Sequence, residues 1–331
     1  MSETAAENAE MTIGTAIRRA IEEALTRDER VFVLGEDIEH MGLFAGLHKT
    51  FGTERVRETP ISESAIIGAS VGAALGGMRP IAEIMIMDFL SVCMDQLANM
   101  AAKLRYATAG RTNVPMTVRV VSYGGGGFGS GSTHSQSLEA WLMHVPGLKI
   151  VYPSSPADAY GLMVSCIRDD DPSIFVESPG LYGVKGAVPA DHGDRIPLGR
   201  ASVRRQGTDV TLIGYGRSVL DALSVADRMA SEGINIEVID LRSLVPLDVD
   251  TILASVEKTR RAVVSHLAVE FAGPGAEIAA VISERLFGSL RAPVRRLGGR
   301  YTPIPASREL ERHWYPSVET MAAAVRSVME A

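Results

Sequence analysis

The chain has 331 residues, of which 46 % are hydrophobic and 22 % are charged, a composition typical of folded globular proteins rather than disordered ones. Its 33 Lys and Arg residues against 40 Asp and Glu residues give a net charge of −7, which excludes a basic surface for nucleic acid. At roughly 150 residues per domain, this length predicts about two domains.

The two cysteines and the N-terminus indicate the compartment. Cys93 and Cys166 stand in apolar stretches without a partner at metal-ligand spacing, which excludes a disulfide framework and a structural zinc site. The first residues are polar and acidic, unlike a signal peptide, and no apolar run reaches the ~18 residues of a membrane span. We therefore expect a protein of the cytoplasm with no membrane partner.

Helices and strands are predicted to alternate along the first half of the chain. Thr12 precedes an amphipathic helix whose apolar residues recur at helical spacing up to Leu25. The following predicted elements are a strand at 31–34, a helix at 65–75, a strand at 80–87, a helix at 88–109, strands at 114–121 and 148–152, a helix at 156–168 and a strand at 173–176. Short apolar strands between such helices indicate a parallel sheet covered on both faces.

The second half repeats this alternation. Its predicted strands cover 210–213, 236–241, 262–265 and 294–297, and its predicted helices cover 219–231, 251–255, 276–286 and 318–329. Between these halves the sequence is rich in Gly, Pro and charge and has no helical period, as in a linker. We therefore predict an α/β fold of two parallel-sheet domains, residues 1–185 and the smaller 207–331, joined by a linker at 186–206.

Ligands of parallel α/β sheets bind at the carboxyl ends of strands, so the loops that follow strands are candidates for chemistry. Glu63 opens the Ala- and Gly-rich helix, where it is either an acid favoured by the helix dipole or a proton carrier aimed into a cleft. Met85 and Phe89 surround the exit of a buried strand and are either core residues or the lining of a site.

A glycine-rich segment follows the next predicted strand. Residues 124–131 contain six glycines and lead to His134. Glycine permits positive φ angles and close approach of the backbone to a ligand. The segment does not match a phosphate-binding loop or a dinucleotide-binding fingerprint. We interpret it as a loop that carries a functional histidine, the alternative being a flexible surface loop, and its order is left open.

Taken together, these segments resemble the beta subunits of the thiamine-diphosphate-dependent 2-oxo acid dehydrogenases, the decarboxylating components of the pyruvate and branched-chain 2-oxo acid dehydrogenase complexes. The resemblance covers nearly the whole chain and rests on motifs that include ETPISE, VGAALGGMRPIAEIM, THSQSLEAW, YPSSPADAYGLMVSCIRDDDP and DLRSLVPLD. It implies a transketolase-like pyrimidine-binding domain followed by a transketolase C-terminal-like domain.

The resemblance implies a role for each candidate residue. Glu63 matches the glutamate that hydrogen-bonds N1′ of the aminopyrimidine, which activates the cofactor for attack on a 2-oxo acid. Phe89 matches the ring that stacks on the aminopyrimidine, and Ile61 and Met85 match its apolar neighbours. His134 matches the active-site histidine that assists acyl transfer to a lipoyl group.

The resemblance also implies a monovalent cation, K⁺, bound by oxygen atoms around Cys166, Asp169 and Asp171. The acidic run that contains these aspartates is otherwise a solvated helix end. The sequence has no Gly-Asp-Gly motif, with which this superfamily binds a divalent metal and the cofactor's diphosphate. We therefore expect an alpha subunit that supplies diphosphate and Mg²⁺ binding in an α2β2 heterotetramer.

The implied activity is oxidative decarboxylation of pyruvate or a branched-chain 2-oxo acid, with transfer of the acyl group to a lipoyl acyltransferase core. Two alternatives stay open: a subunit of an acetoin-cleaving or transketolase-like enzyme, and a non-catalytic assembly subunit. The identity of the oxo acid, of the alpha and acyltransferase partners and of any regulation is not decided by these motifs, because one pocket residue changes specificity by only a few kcal/mol.

Overall fold

The computed structural model describes residues 9–189 and 196–331, which divide into two compact units. The first contains the described residues up to Val121 together with Val145–Leu198, and the second contains Ser122–His144 and Gly199–Ala331. The glycine-rich segment, which the sequence analysis assigned to the first domain, therefore packs with the second unit. Residues 190–195 of the predicted linker lie outside the described residues.

The first unit is built on a parallel sheet. Its strands are β1 (Ala9–Thr12), β2 (Val31–Gly35), β3 (Val56–Glu58), β4 (Arg79–Ile84), β5 (Thr117–Val121), β6 (Lys149–Val151), β7 (Ser173–Glu177) and β8 (Lys185–Val188). Its α-helices are α1 (Ile13–Arg27), α2 (Leu47–Phe51), α3 (Glu63–Leu75), α4 (Leu104–Ala107) and α6 (Pro156–Arg168). The parallel strands follow the order β6-β7-β5-β4-β2-β3, whereas β1 and β8 form an antiparallel pair.

Two helices of this unit begin where local capping chemistry predicts. The hydroxyl oxygen of Thr12 accepts a hydrogen bond from the Thr15 amide at 3.1 Å, which satisfies one unpaired N–H of the first turn of α1. Ser155 caps α6 in the same way, and Pro156 occupies its first turn. The two helices pack together, and the Tyr160 hydroxyl donates to Glu23 at 2.7 Å. Both helix predictions are confirmed.

The continuous helix predicted at 88–109 is wrong. A 3₁₀ helix covers Met87–Ser91, a π-helix covers Gln96–Ala101, and α-helical residues are limited to 94–95 and Leu104–Ala107. The Ala102 amide bonds the carbonyl of Leu97 at 3.0 Å, five residues back, which is π-type pairing. Apolar spacing does not reveal such an insertion, because buried residues four apart fit an α-helix equally well.

A buried ion cluster joins the central strands. Arg119 on β5 forms ion pairs with Glu83 on β4 and Glu177 on β7, and all three side chains are almost completely buried. The Arg119 guanidinium also donates to the Tyr182 hydroxyl at 3.0 Å and lies over the Phe44 ring at 5.0 Å. Burial raises the pKa of Glu83 to about 7, against the opposing charge of Arg119. The cluster therefore holds two carboxylates around one cation inside the sheet.

The second unit contains a five-stranded sheet in the order β14-β13-β10-β11-β9, in which β9 alone runs antiparallel. The strands of this sheet are β9 (Ser202–Arg205), β10 (Val210–Gly214), β11 (Ile236–Asp240), β13 (Ala262–Val269) and β14 (Arg295–Gly299), and the unit also contains the short strand β12 (Ser243–Val245) outside this sheet. Its helices are α5 (Glu139–Met143), α7 (Arg217–Ala230), α8 (Val249–Thr259), α9 (Pro274–Arg285), α10 (Arg308–Arg312) and α11 (Val318–Glu330).

The core of the second unit lies between this sheet and helices α7 and α11. Its central side chains Leu212, Val238 and Val325 are each fully buried. Helix α11 starts at a capping box formed by Ser317 and Thr320. The predicted α/β class is confirmed in both units. Across the part of the chain that the structure describes, no helix is long and apolar enough to cross a membrane.

The ion cluster predicts an unequal cost for removing two arginines. Arg119→Met leaves two buried carboxylates without their cation and should lower the free energy of unfolding by about 3–5 kcal/mol. Arg105→Met removes a half-exposed ion pair to Asp171 and should cost less than about 1 kcal/mol. Urea unfolding followed by circular dichroism measures both, and equal costs would contradict a structural role for the cluster.

Candidate functional site

The loops after three neighbouring strands emerge at one edge of the first sheet. Strand β2 pairs in parallel with both β3 and β4, so their carboxyl ends lie side by side. Glu36 follows β2, the segment 59–63 follows β3, and residues 85–89 follow β4. The Ser64 hydroxyl donates to the Val92 carbonyl at 2.6 Å, which ties the start of α3 to the segment after β4.

Two buried carboxylates lie together at this edge. Glu63 is the first residue of α3 and is 7 % exposed, and Glu36 is 6 % exposed. Burial raises the pKa of Glu36, and the neighbouring charges of Glu63 and Asp37 raise that pKa further. Among the described residues, Glu36 Oε2 has no hydrogen-bond partner. An orphaned acceptor beside a second buried carboxylate fits a ligand with polar nitrogen atoms.

Glu36 was missed in the sequence analysis. The residue stands in Gly35-Glu36-Asp37, directly after the apolar strand Val31–Gly35, and this position was the signal that could have found it. A charged residue at the carboxyl end of a buried parallel strand belongs to the region where ligands bind. The sequence alone did not show that Glu36 and Glu63 lie close together.

The apolar residues predicted around Glu63 differ in burial. Ile61 is 74 % exposed, whereas Met85 and Phe89 are half-buried. Phe89 lies in the 3₁₀ helix after β4, where its amide bonds the Ile86 carbonyl at 3.0 Å. An aromatic ring and aliphatic side chains at the edge that carries the carboxylates fit a flat heteroaromatic ring with one polar edge.

Behind this edge lies Cys93, which is fully buried. Burial raises the pKa of its thiol to about 12, and the charge of Glu63 contributes to that shift. The hydrogen bond from Ser64 to the Val92 carbonyl places the start of α3 against the segment that contains Cys93. The thiol remains protonated at neutral pH and packs as a small apolar side chain.

His134 lies in the second unit, on the glycine-rich loop that follows β5. The Thr133 hydroxyl lies 2.9 Å from His134 Nδ1, and the His134 amide bonds the Gly131 carbonyl at 3.4 Å. The imidazole is half-buried. The histidine therefore lies on a loop and not in the hydrophobic core.

A cavity of about 540 Å³ adjoins the residues next to His134. Polar groups of its lining come from Ser132, Thr133, Gln136, Ser137 and Thr302. The apolar part of the lining consists of Leu138, Val269, Pro303, Ile304 and Trp314. A lining of apolar side chains with a few hydroxyl groups suits a small ligand with an apolar chain.

The predicted cation ligands lie at the C-terminal end of α6. Lys149 Nζ lies 2.6 and 2.8 Å from the two carboxylate oxygens of Asp169 and 3.2 Å from Asp171. Arg105 donates to Asp171 at 2.6 Å, and Arg79 donates to the Asp169 carbonyl at 2.9 Å. Cations of the protein already bind these oxygen atoms, so the residues present do not fit a K⁺ ion held by the two carboxylates.

Cys166 does not complete such a site. Its carbonyl accepts the Asp169 amide at 3.2 Å, and burial raises the pKa of its thiol to about 12. The three predicted ligands lie near the C-terminal end of α6. Their polar atoms take part in hydrogen bonds of the helix end and in its ion pairs.

The stretch Gly68–Gly72 matches the Gly-x-Ser-x-Gly pattern of serine hydrolases. The structure places its Ser70 in the middle of α3, fully buried, with its hydroxyl donating to the Ile66 carbonyl at 2.8 Å. A nucleophile of that class stands on a sharp strand-to-helix turn. Ser70 is therefore a structural residue of the helix.

Family models match both units of the chain. The model for the transketolase pyrimidine binding domain matches residues 9–185, and the model for the transketolase C-terminal domain matches residues 199–321. The beta subunit of pyruvate dehydrogenase E1 from Bacillus subtilis is 42 % identical over 97 % of this chain and 99 % of that protein. The chain belongs to this family of dehydrogenase beta subunits.

Other members of the family differ in their named substrates. The beta subunit of acetoin:2,6-dichlorophenolindophenol oxidoreductase from Cupriavidus necator is 42 % identical over 97 % of this chain and 98 % of that protein. The 3-methyl-2-oxobutanoate dehydrogenase beta subunit from Mycobacterium tuberculosis is 43 % identical over 96 % of this chain and 92 % of that protein.

A solved structure confirms the fold. It is described as a split gene transketolase, an inactive beta4 tetramer, and it matches 97 % of this chain and 98 % of its own with a TM-score of 0.78. At 20 % sequence identity this similarity concerns the fold alone. The transketolase-like domains of the family imply dependence on thiamine diphosphate.

The segment after His134 carries a further buried carboxylate with a consequence for stability. Glu139 is 1 % exposed, and burial raises its pKa to about 7. Neither of its carboxylate oxygens has a hydrogen-bond partner within the described ranges. Because its pKa is higher in the folded chain than in the unfolded chain, the folded state binds the extra proton and loses stability as pH rises from about 4.5 to 7.

Glu139→Gln should remove this loss. Above pH 8 the variant should be more stable than the native chain by about 3 kcal/mol, and the difference should vanish near pH 4.5. Urea unfolding midpoints measured between pH 4.5 and 8.5 test this expectation. Parallel pH profiles for the two chains would show that Glu139 is not held protonated by burial.

Proposed function

We propose that this chain is the beta subunit of a thiamine-diphosphate-dependent 2-oxo acid dehydrogenase. Together with an alpha subunit it would decarboxylate a 2-oxo acid oxidatively and transfer the acyl group to a lipoyl carrier of an acyltransferase core. The observation that carries the proposal is the buried Glu63 at the start of α3, beside Glu36 and on the same sheet edge as the half-buried Phe89. The names of the relatives at 42–43 % identity support it.

When bound, thiamine diphosphate supplies a nucleophilic carbon that attacks the 2-oxo group and stabilises the charge left by decarboxylation. In this proposal Glu63 shares a proton with N1′ of the aminopyrimidine. Its buried position disfavours competing water and strengthens that hydrogen bond. The Phe89 ring and the Met85 side chain would bind the faces of the same heterocycle and so fix the edge that Glu63 contacts.

Glu36 would assist Glu63 through its charge. Burial raises the pKa of Glu36, and the charge of Glu63 raises it further, so the two carboxyl groups interact electrostatically. We assign Glu36 an electrostatic role at Glu63.

His134 is proposed to act in acyl transfer. Thr133 contacts Nδ1 of its ring and so restricts the orientation of the imidazole. An imidazole can give a proton to a lipoyl sulfur when the dithiolane opens. The adjoining cavity, with the apolar side chains of its lining, suits the hydrocarbon arm of such a carrier.

The alpha subunit is proposed to supply the diphosphate site and its Mg²⁺ ion, because this chain has no Gly-Asp-Gly motif. We propose an α2β2 assembly in which the cofactor is shared between the two kinds of subunit. A K⁺ ion would use backbone oxygens near Cys166, Asp169 and Asp171 in this proposal, since Lys149 and Arg105 pair with the two carboxylates.

Glu63→Gln should reduce turnover by at least about 100-fold in the reconstituted complex, because glutamine cannot share a proton with N1′. Assembly with the alpha subunit should be unchanged by gel filtration. Glu54→Gln, at a side chain that is 91 % exposed, is the matched control and should retain full activity. Undiminished turnover in Glu63→Gln would remove Glu63 from the mechanism.

Cofactor binding should require the partner. The isolated chain should bind thiamine diphosphate negligibly in calorimetry, because it lacks the motif for the diphosphate and its metal. Addition of the co-purified alpha subunit with Mg²⁺ should restore binding. Tight binding by the isolated chain would contradict the shared site.

The substrate is identified by measuring the turnover of pyruvate, branched-chain 2-oxo acids and acetoin by the same complex. Acetoin is included because a relative that is 42 % identical carries that substrate in its name. Turnover of a 2-oxo acid with a lipoyl acceptor supports the proposal, whereas turnover of acetoin alone would replace it.

A further inference from the structure

The glycine-rich loop that carries His134 is closed at its base by hydrogen bonds within the second unit. The Ser122 and Ser137 hydroxyls lie 3.2 Å apart on either side of the loop. The Tyr315 hydroxyl donates to the Ser135 carbonyl at 3.2 Å, one residue after His134. Both ends of the loop approach Tyr315, since a Cβ atom on Gly124 would lie 3.1 Å from the same hydroxyl.

A second contact holds the middle of the loop. The Gly129 amide donates to Glu311 Oε2 at 2.9 Å, a bond that links positions 182 residues apart. Gly129 has a φ of +71°, and a Cβ there would lie 2.8 Å from the Ala306 carbonyl. The loop therefore lies directly on the backbone before α10, and only glycine fits at this position.

Burial of the Glu311 carboxylate costs free energy, and its position in α10 does not account for that cost. Its side chain is 1 % exposed, and its Oε1 atom has no hydrogen-bond partner in the described part of the chain. A buried carboxylate with one acceptor unsatisfied lowers stability. What this carboxylate does in the structure is accept the loop amide, through a charge-assisted hydrogen bond.

Tyr315 is held rigidly. Its ring contacts the Trp314 ring edge to face, with centroids 4.7 Å apart, and the Trp314 indole N–H donates to the Thr302 carbonyl at 3.0 Å. A hydroxyl on such a fixed ring restrains the carbonyl that it contacts. The backbone beside His134 is thereby fixed to the segment 306–315, which lies far away in sequence.

We infer that Glu311 and Tyr315 are positioning residues that set the orientation of His134 for acyl transfer. This inference rests on the proposed function, because it requires that His134 acts in that step. Neither residue contacts a reacting atom; each acts through the loop backbone. Positioning matters because small displacements of a catalytic group lower rates strongly.

The test uses the complex co-expressed with its alpha subunit, with a lipoyl domain as one acceptor and 2,6-dichlorophenolindophenol as another. Tyr315→Phe removes one hydroxyl and should lower kcat for lipoyl acylation about tenfold, with KM for the 2-oxo acid unchanged. Dye-linked turnover, which bypasses acyl transfer, should stay within about twofold. Thermal unfolding should shift by no more than a few degrees, as for the loss of one hydrogen bond.

Glu311 is tested by a pair of variants. Glu311→Ala should lower lipoyl acylation by about tenfold, whereas Glu311→Gln, which keeps an acceptor oxygen for the Gly129 amide, should recover most of the rate. Arg312→Ala, on the same helix with a side chain that is 70 % exposed, is the matched control and should be fully active.

A double-mutant cycle separates positioning from simple stability. In a His134→Ala complex with low lipoyl activity, Tyr315→Phe should cause no further loss, since no imidazole is left to orient. Additive losses, or equal losses with both acceptors, would overturn the inference. Full lipoyl acylation activity in the His134→Ala complex would overturn both the proposed role of His134 and this inference. Reduced lipoyl acylation in His134→Ala, with no reduction in Tyr315→Phe or Glu311→Ala, would overturn this inference alone.

Discussion

The parallel pairing of β2 with both β3 and β4 is the constraint on which the candidate site depends. In a parallel sheet all carboxyl ends lie at one edge. Strand pairing alone therefore brings the three segments that follow β2, β3 and β4 to the same edge, whether or not their side chains contact one another. Glu36, Glu63 and Phe89 owe their common location to this backbone geometry. The sheet itself is held by buried apolar strands and by Arg119 between its two carboxylates.

Several carboxylates are buried in this protein, and the charges around them differ. Glu83 and Glu177 surround a guanidinium, so their charge is largely compensated inside the sheet. Burial raises the pKa of Glu36, and the charges of Glu63 and Asp37 raise it further, which suits a site that handles protons. The acidic run at the end of α6 differs, because Lys149 and Arg105 pair with the carboxylates of Asp169 and Asp171.

The glycine-rich segment carries the candidate residue His134 and belongs to the second unit. Its glycines let the backbone lie against Ala306 and adopt positive φ angles at Gly129 and Gly131. The side chains that hold it, Glu311 and Tyr315, come from the C-terminal part of the chain. A segment that follows a strand of the first unit is therefore shaped by the second.

The sequence by itself determined the fold class, most helices and strands, the family and the candidate residues Glu63, Phe89 and His134, because apolar periodicity, capping residues and motifs are local properties. It did not reveal the π-helix at Gln96–Ala101, since a one-residue insertion leaves apolar spacing nearly intact. Only the tertiary structure showed that Glu36 is within electrostatic reach of Glu63, that Lys149 pairs with Asp169 and Asp171, and that the loop of His134 is held by Glu311. These facts depend on contacts between residues distant in sequence, and such contacts are decided by how strands pair and surfaces pack.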